Sequence, residues 1–454
     1  MPPLQYTWIG LLQECRSIKK SVSGFVEWQP KVKKIEETWL GRIAAVFAQN
    51  GFLPIETAAV EYLATLQTKG EIDKEIYTLG KLGSEVSKDL ALHFDLTIPL
   101  ARYVTEHFGR LAFPFKRYQI QKVWRGERPQ FGRYREFYQA DLDVIDSESL
   151  AGFYDAQVLT VGVEAMLKLN IAPFHVGVSN RKIYEGYLLG LGISQPALVL
   201  RSIDKLAKIS YEGVLKVLVD TLGMNSKLAE KATALACVKL SGQTPSDAVS
   251  ALGVKHDLLA LGLKELEGLL ANVKMLSSPQ VVEIIQADLS FVRGFDYYTG
   301  SIFEGQFSDG SGYGSICSGG RYENLAEGFG SRKLPGVGFS IGVTRILAKE
   351  SVEPEKMPDY PKSLFDFCLV LDGDMGDPRR LIESGNQLKS AGFSVNMVSV
   401  AKLKKGLQLA ARTEAQVALF LFDGKIVLKH LGSGQQIEVE NGSILAPAEK
   451  LIRT

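Results

Sequence analysis

Cysteine is scarce in this 454-residue chain: Cys15, Cys237, Cys317 and Cys368 stand far apart, with no ligand-pair spacing. That excludes a disulfide framework and fits a reducing compartment. The five histidines, His93, His107, His175, His256 and His430, are scattered with no H-x-x-x-H or Cys/His cluster, so no protein-bound zinc is expected. Long apolar runs are missing too, and the first twenty residues lack a basic start before an apolar core, so neither a membrane span nor a secretory leader is expected. The expected location is the cytoplasm. Charge of one sign is not in excess: 52 Lys and Arg face 51 Asp and Glu, a net +1. A broadly electropositive surface is thereby excluded, while a local basic path for nucleic acid is not. Two common nucleotide signatures, G-x-x-x-x-G-K-[ST] and the dinucleotide G-x-G-x-x-G, are also absent.

What is present is ordinary in bulk, with 46% hydrophobic and 23% charged residues, as in folded globular proteins. The length predicts two or three domains of roughly 100 to 200 residues each. The chain is organised around residues 115 to 145, FKRYQIQKVWRGERPQFGRYREFYQADLDVI, two strand-like runs joined by a loop rich in Gly, Pro and Arg. Alternation places Arg117, Gln119, Gln121 and Arg125 on one face of the first run, with Tyr118, Ile120, Lys122 and Trp124 on the other. On the second run Arg133, Arg135, Phe137, Gln139, Asp141 and Asp143 share a face. An antiparallel hairpin of this kind presents guanidiniums near the loop and carboxylates further in, suited to a zwitterionic or phosphorylated ligand. The alternative is a plain solvated sheet face.

Elsewhere, KVKKIEETWLGRIAAVFAQNGF carries apolar residues at helical spacing and ends at Asn50-Gly51. DLALHFDLTIPLARYV alternates, which predicts a strand with His93, Asp95 and Thr97 on one face. SLAGFYDAQVLTVGVEAMLKL reads as a helix and NIAPFHVGVSN as a strand. Residues 183 to 286 are helical in texture with few strand signals, the pattern of an insertion. Strand chemistry resumes in SFVRGFDYYTGSIFEGQF, where Arg293 stands beside Gly294, and in PGVGFSIGVTRILAKE, where Gly336, Gly338 and Gly342 lead from a strand into a helix bearing Arg345. After the Pro-marked VEPEKMPDYPK, strands and helices alternate as in a small α/β domain with a largely parallel core. Its basic run Lys402, Lys404, Lys405 and Arg412 either tracks an RNA backbone or is a solvated helix face.

Taken in order, these stretches resemble the histidyl-tRNA synthetases, class II aminoacyl-tRNA synthetases specific for histidine. WRGERPQFGRYREFYQADLD is similar to the family's motif 2 and GVGFSIGVTRI to its motif 3. VRGFDYYTG and SGGRYENL resemble two histidine-specific signatures, and LHFDLTIPLARY the substrate-binding strand. The similarity runs from about residue 22 to about residue 440. It implies an α+β fold: a class II antiparallel sheet core in two parts, residues 1–182 and 287–352, a mostly helical insertion at 183–286, and a C-terminal α/β anticodon-binding domain at 362–454.

The implied reaction joins the carboxylate of L-histidine to the α-phosphorus of ATP, then passes the histidyl group to tRNA(His), in a homodimer, with Mg2+ accompanying ATP. By resemblance Arg125 and Arg293 hold the α-phosphate as catalytic residues, and Arg133 and Arg345 hold the outer phosphates and adenine end. Glu127 and Phe137 take the adenine. Asp95, Thr97 and Gln139 hold the α-ammonium of histidine, Asp143 and Tyr298 bracket its imidazole, and Tyr297 and Tyr322 line the pocket. Gln130 lies near the tRNA acceptor end.

The chain departs from the family pattern at two positions: Ala58 stands where Pro follows GFxPIET, which bears on the dimer contact, and His93 replaces the arginine of LRYDLT, weakening one fixed positive charge near the site. Two alternatives remain. One is a non-catalytic regulatory paralogue that binds ATP phosphoribosyltransferase; such proteins lack the terminal domain. The other is a synthetase-like enzyme passing histidine to a non-tRNA acceptor.

Overall fold

The computed structural model describes residues 21–67, 75–82, 89–204, 206–240, 242–290, 298–323, 329, 333–374, 377–439 and 443–453. The chain divides into two compact units, one built mainly of Glu36–Met357 and the other of Trp28–Ile35 with Pro358–Thr454.

The strands of the first unit are β1 (Leu53–Pro54), β2 (Val60–Tyr62), β3 (Thr78–Leu79), β4 (Leu90–Leu92), β5 (Phe115–Trp124), β6 (Glu136–Ile145), β7 (Phe174–Asn180), β8 (Ile285–Ala287), β9 (Ser301–Phe307), β10 (Cys317–Tyr322) and β11 (Gly336–Gly342). Among its helices are α1 (Pro30–Gln49, which starts in the other unit), α2 (Thr97–His107), α3 (Phe153–Leu167), α4 (Arg181–Gly190), α5 (Asp257–Leu276) and α6 (Val343–Glu350). Eight strands form one sheet in the order β1-β5-β6-β11-β10-β9-β7-β8, and β2-β4-β3 form a small second one. Only the outermost pairs, β1 with β5 and β7 with β8, are parallel. The hairpin is as its alternation predicts, running from Phe115↔Ile145 to Trp124↔Glu136.

Three sequence expectations change. The face bearing Arg117, Gln119, Gln139, Asp141 and Asp143 is not wet: these side chains are buried. The opposite face of β5, with Tyr118, Ile120, Lys122 and Trp124, is the half-exposed one. Second, the strand expected through Thr97 stops at Leu92, and Thr97 opens α2. Asp95 Oδ1 accepts the Ile98 N–H at 3.1 Å, so a carboxylate that reads as part of a strand face in fact caps a helix. Third, the helical segment returns to the main sheet through β8, which pairs with β7.

The apolar face of the large sheet, including Leu142, Val337, Phe339 and Ile341, is buried, and α3, itself buried nearly all round, packs on β11. Arg321 of β10 reaches this side. It holds Asp155 in the first turn of α3 through Nη2 at 2.7 Å and Nε at 3.1 Å, and donates to Leu150 O and Ala151 O. Ser301 Oγ donates to the same carboxylate at 2.7 Å. Replacing Asp155 with Ala strands a nearly buried guanidinium, at a cost of about 3–5 kcal/mol. Denaturant unfolding of Asp155→Ala should show that loss; Asp155→Asn, which keeps one acceptor, should lose less.

The second unit contains β12 (Phe365–Asp372), α7 (Arg379–Ser390), β13 (Val395–Val400), α8 (Leu403–Arg412), β14 (Ala415–Phe422), β15 (Lys425–His430), β16 (Gln436–Val439) and α9 (Leu445–Ile452). The strand order is β13-β12-β14-β15-β16, with the first three parallel and the last two added antiparallel. Along β12, Phe367 and Leu369 join one core with Leu381, Leu388 and Leu451, while Cys368 and Val370 join another with Val398 and Ala410. Helices thus cover both faces, which is why FDFCLVLD is nearly continuously apolar.

Candidate active site

The register of the large sheet sets the polar floor. One row runs directly across the strands from Gln119 to Asp141, Ser340, Ser318 and Glu304. The next row joins Arg117, Asp143 and Gly338. A Cβ on Gly338 would lie 2.2 Å from Asp143 Oδ1, so glycine there leaves the space this carboxylate occupies.

Over this floor lie two cavities that share Ser318 and Ser340. The larger, about 230 Å³, is lined among others by Arg125, Glu127, Arg133, Phe137, Gln139 and Arg345. Arg125 Nε donates to Phe94 O at 3.0 Å, its Nη2 lies 3.4 Å from Gln139 Oε1, and its guanidinium sits 5.1 Å from the Phe137 ring centroid. Arg133 and Glu127 form a loose, half-exposed pair at 3.7 Å. Arg345 donates from Nη2 to Tyr313 O and lies over the Tyr313 ring, while Tyr313 returns its hydroxyl to Arg345 O at 2.7 Å. The Tyr313 hydroxyl also fills the place of a side chain at Gly132, whose φ is +75°. Burial, and then repulsion from Arg133, lower the Arg345 pKa, with Tyr313, Glu127 and Glu304 opposing. Two mutually repelling guanidiniums in a recess favour a polyanion.

The smaller cavity, about 30 Å³, is lined by Thr97, Asp141, Asp143, Tyr298 and Tyr322 among others. Asp143 Oδ2 pairs with Arg117 Nη2 at 2.7 Å, and its Oδ1 accepts the Tyr322 hydroxyl at 2.6 Å. Burial, then Asp143, Asp141 and Asp95, push the Tyr298 phenol well up, so it stays a hydrogen-bond donor. Gln139 Nε2 donates to Ser340 Oγ at 2.6 Å. A third, open cleft beside the hairpin loop is lined by Glu75, Glu127, Arg128, Pro129, Gln130 and Arg133.

Most residues singled out in the sequence therefore converge. Asp95 lines neither of the two cavities, though its charge acts on Asp141 and Tyr298 within the smaller one. Arg293 and Tyr297 lie outside the described residues. His93 does not share a site face with Asp95: it is fully buried, with Nδ1 3.2 Å from Ala58 O and Nε2 2.7 Å from Lys122 O, and it lines neither cavity. Asp141, Ser318 and Ser340 were not assigned a role. Alternation alone signals Asp141 on β6, whereas nothing in the sequence couples Tyr313 to Arg345. Among the described residues no group of three or more His, Cys, Asp or Glu could hold a metal ion, and no helix is long and apolar enough to cross a membrane.

The family model for histidyl-tRNA synthetase matches residues 24–346. The histidine–tRNA ligase of Thermobifida fusca (strain YX) is 43% identical over 95% of this chain and 99% of its own, and that of Micrococcus luteus is 40% identical over 96% and 98%. Among solved structures, histidyl-tRNA synthetase from Nostoc sp. PCC 7120 superposes with a TM-score of 0.80 at 33% identity, covering 96% of this chain and 99% of that one. An ATP phosphoribosyltransferase regulatory subunit/histidyl-tRNA synthetase from Bacillus halodurans shares the fold at 20% identity, with a TM-score of 0.71 over 89% of this chain and 98% of that one. An arginine-lined recess opening beside a carboxylate-lined cleft on an antiparallel sheet, together with near full-length identity to these ligases, places the chain in the histidyl-tRNA synthetase family.

Proposed function

We propose that this chain is a histidine–tRNA ligase that activates L-histidine with ATP and transfers the histidyl group to tRNA(His). The observation that carries the reading is the junction of the two cavities at Ser318 and Ser340, which sets an arginine-lined recess against a smaller polar cleft lined by carboxylates and phenols. ATP occupies the larger cavity. Arg125 holds the α-phosphate and the histidine carboxylate, Arg133 and Arg345 the outer phosphates and adenine end, and Phe137 and Glu127 the adenine. Thr97, Gln139 and Asp95 take the α-ammonium. Asp143 and Tyr298 bracket the imidazole, and Tyr322, through its bond to Asp143, holds that carboxylate in place.

A carboxylate oxygen of histidine attacks the α-phosphorus, the bond from that phosphorus to the bridging oxygen breaks, and pyrophosphate leaves. The terminal ribose hydroxyl of the tRNA then attacks the acyl carbon and AMP departs. No protein group need bond covalently to substrate: positioning and charge supply the rate. By the family resemblance, Arg293 holds the α-phosphate from the side opposite Arg125, and Tyr297 lines the histidine pocket. Mg2+ accompanying ATP would be held chiefly by phosphate oxygens and would offset charge on the pyrophosphate. Gln130, in the open cleft, meets the tRNA acceptor end.

Residues 183–286 act as an inserted module and 362–454 as the anticodon-binding domain of a cytoplasmic homodimer. The test is an ATP-pyrophosphate exchange screen across the amino acids. Exchange should depend on histidine alone, and purified tRNA(His) should then be charged. Exchange with a different amino acid and none with histidine sinks the reading.

A further inference from the structure

Asp141 stands mid-strand on β6, 4% exposed, and lines the smaller cavity beside Thr97, Asp143 and Tyr298. Its Oδ1 has no hydrogen-bond partner among the described residues. The groups around it come from several elements. Gln119 of β5 and Ser340 of β11 lie directly across from it, and Arg117 of β5, Asp143 of its own strand, Asp95 ahead of α2 and the phenol of Tyr298 act on it or feel its charge.

Charge in this cluster does not balance. Arg117 pairs with Asp143 through Nη2 while its Nε and Nη1 have no hydrogen-bond partner among the described residues, and the other oxygen of Asp143 takes the Tyr322 hydroxyl. Among the described residues Asp141 is therefore a second buried carboxylate with no ion-pair partner, a costly arrangement unless a further positive charge meets it. Its pKa agrees: burial pushes it up to about 7, with Arg117 and Ser340 opposing and Asp143 and Asp95 adding to the rise.

We propose that Asp141 is a further substrate-binding residue, whose Oδ1 accepts a hydrogen bond from the α-ammonium of the bound amino acid. This rests on the reading of the site as one that activates histidine. The ammonium is favoured over the imidazole because it brings a full positive charge, whereas a neutral ring does not offset a buried carboxylate. Asp95 has one oxygen committed to capping α2 and lines neither cavity, so its part in holding the ammonium is shared with Asp141, which lines the cleft and whose Oδ1 has no partner among the described residues. As the ammonium binds, the fraction of Asp141 protonated near pH 7 loses its proton to solvent and the N–H···O bond replaces the O–H bond.

The test uses the full chain with Asp141→Asn. In histidine-dependent pyrophosphate exchange, KM for histidine should rise about 10- to 100-fold while kcat falls less than about threefold. Inhibition by 3-(imidazol-4-yl)propionate, which lacks the amine, should not change. In calorimetric titration at pH 7 in two buffers of different ionisation heat, wild type should release part of a proton per histidine bound, and the Asn variant should release less. An unchanged KM, an equal loss for the amine-free analogue, or no proton release from wild type overturns the proposal. The wild-type calorimetry stands even where the variant fails to fold. Failure of the parent reading is distinct, because wild type would then show no histidine-dependent exchange.

Discussion

Arg125→Ala is expected to lower the kcat of histidine-dependent pyrophosphate exchange by about 10²- to 10³-fold, the range found when one preorganised donor to transition-state charge is removed. The guanidinium is held at two points, by the Phe94 carbonyl at 3.0 Å and the Gln139 amide oxygen at 3.4 Å, and is backed by the Phe137 ring. It needs no reorganisation to meet charge that develops on the α-phosphate. Since its anchors are one backbone carbonyl and one neutral amide at 3.4 Å, with no ion pair, its removal should leave the unfolding midpoint close to that of wild type. Arg125→Lys keeps the charge but not the planar fork, so it should recover only part of the rate. Full activity in Arg125→Ala would remove this residue from the chemistry.

The second large effect is on stability. Arg117→Met should destabilise the first unit by about 3–5 kcal/mol, because it leaves Asp143 buried without its guanidinium. Arg117 is fully buried, its Nη2 pairs with Asp143 at 2.7 Å, and the same atom reaches Leu96 O at 3.4 Å. The deficit should depend on pH, with a sign set by Asp141. That group's folded pKa is raised from 3.8 to about 7, so its contribution to stability is present below about pH 4 and lost as pH rises to about 7. Arg117 lowers this pKa, so removing it extends the loss to higher pH. The gap between wild type and variant, read from denaturant midpoints at a series of pH values, should widen as pH passes 7. A small gap that does not vary with pH would contradict this account.

The hairpin, the α1 helix and the parallel start of the second unit were legible because each rests on periodicity within one short stretch, where side-chain direction follows from position alone. Around Asp95 that rule misled: alternation of Leu90, Leu92, Phe94 and Leu96 continues past the point where the carboxylate caps α2, and local hydrogen bonding overrides the pattern. His93 shows the same limit. As a residue type in sequence it reads as a titratable group at the site, but the ring is buried between two backbone carbonyls from other segments.

From the chain alone came the identity of the polar face, the arginines at the hairpin loop, and the family to which these motifs belong, since all are patterns carried by neighbouring residues. Which side of the sheet is buried, that Arg117 pairs with Asp143, and that Asp141 Oδ1 has no hydrogen-bond partner among the described residues emerged only with the fold. Each depends on strands distant in sequence lying side by side, where register and burial, not residue type, decide which charge meets which.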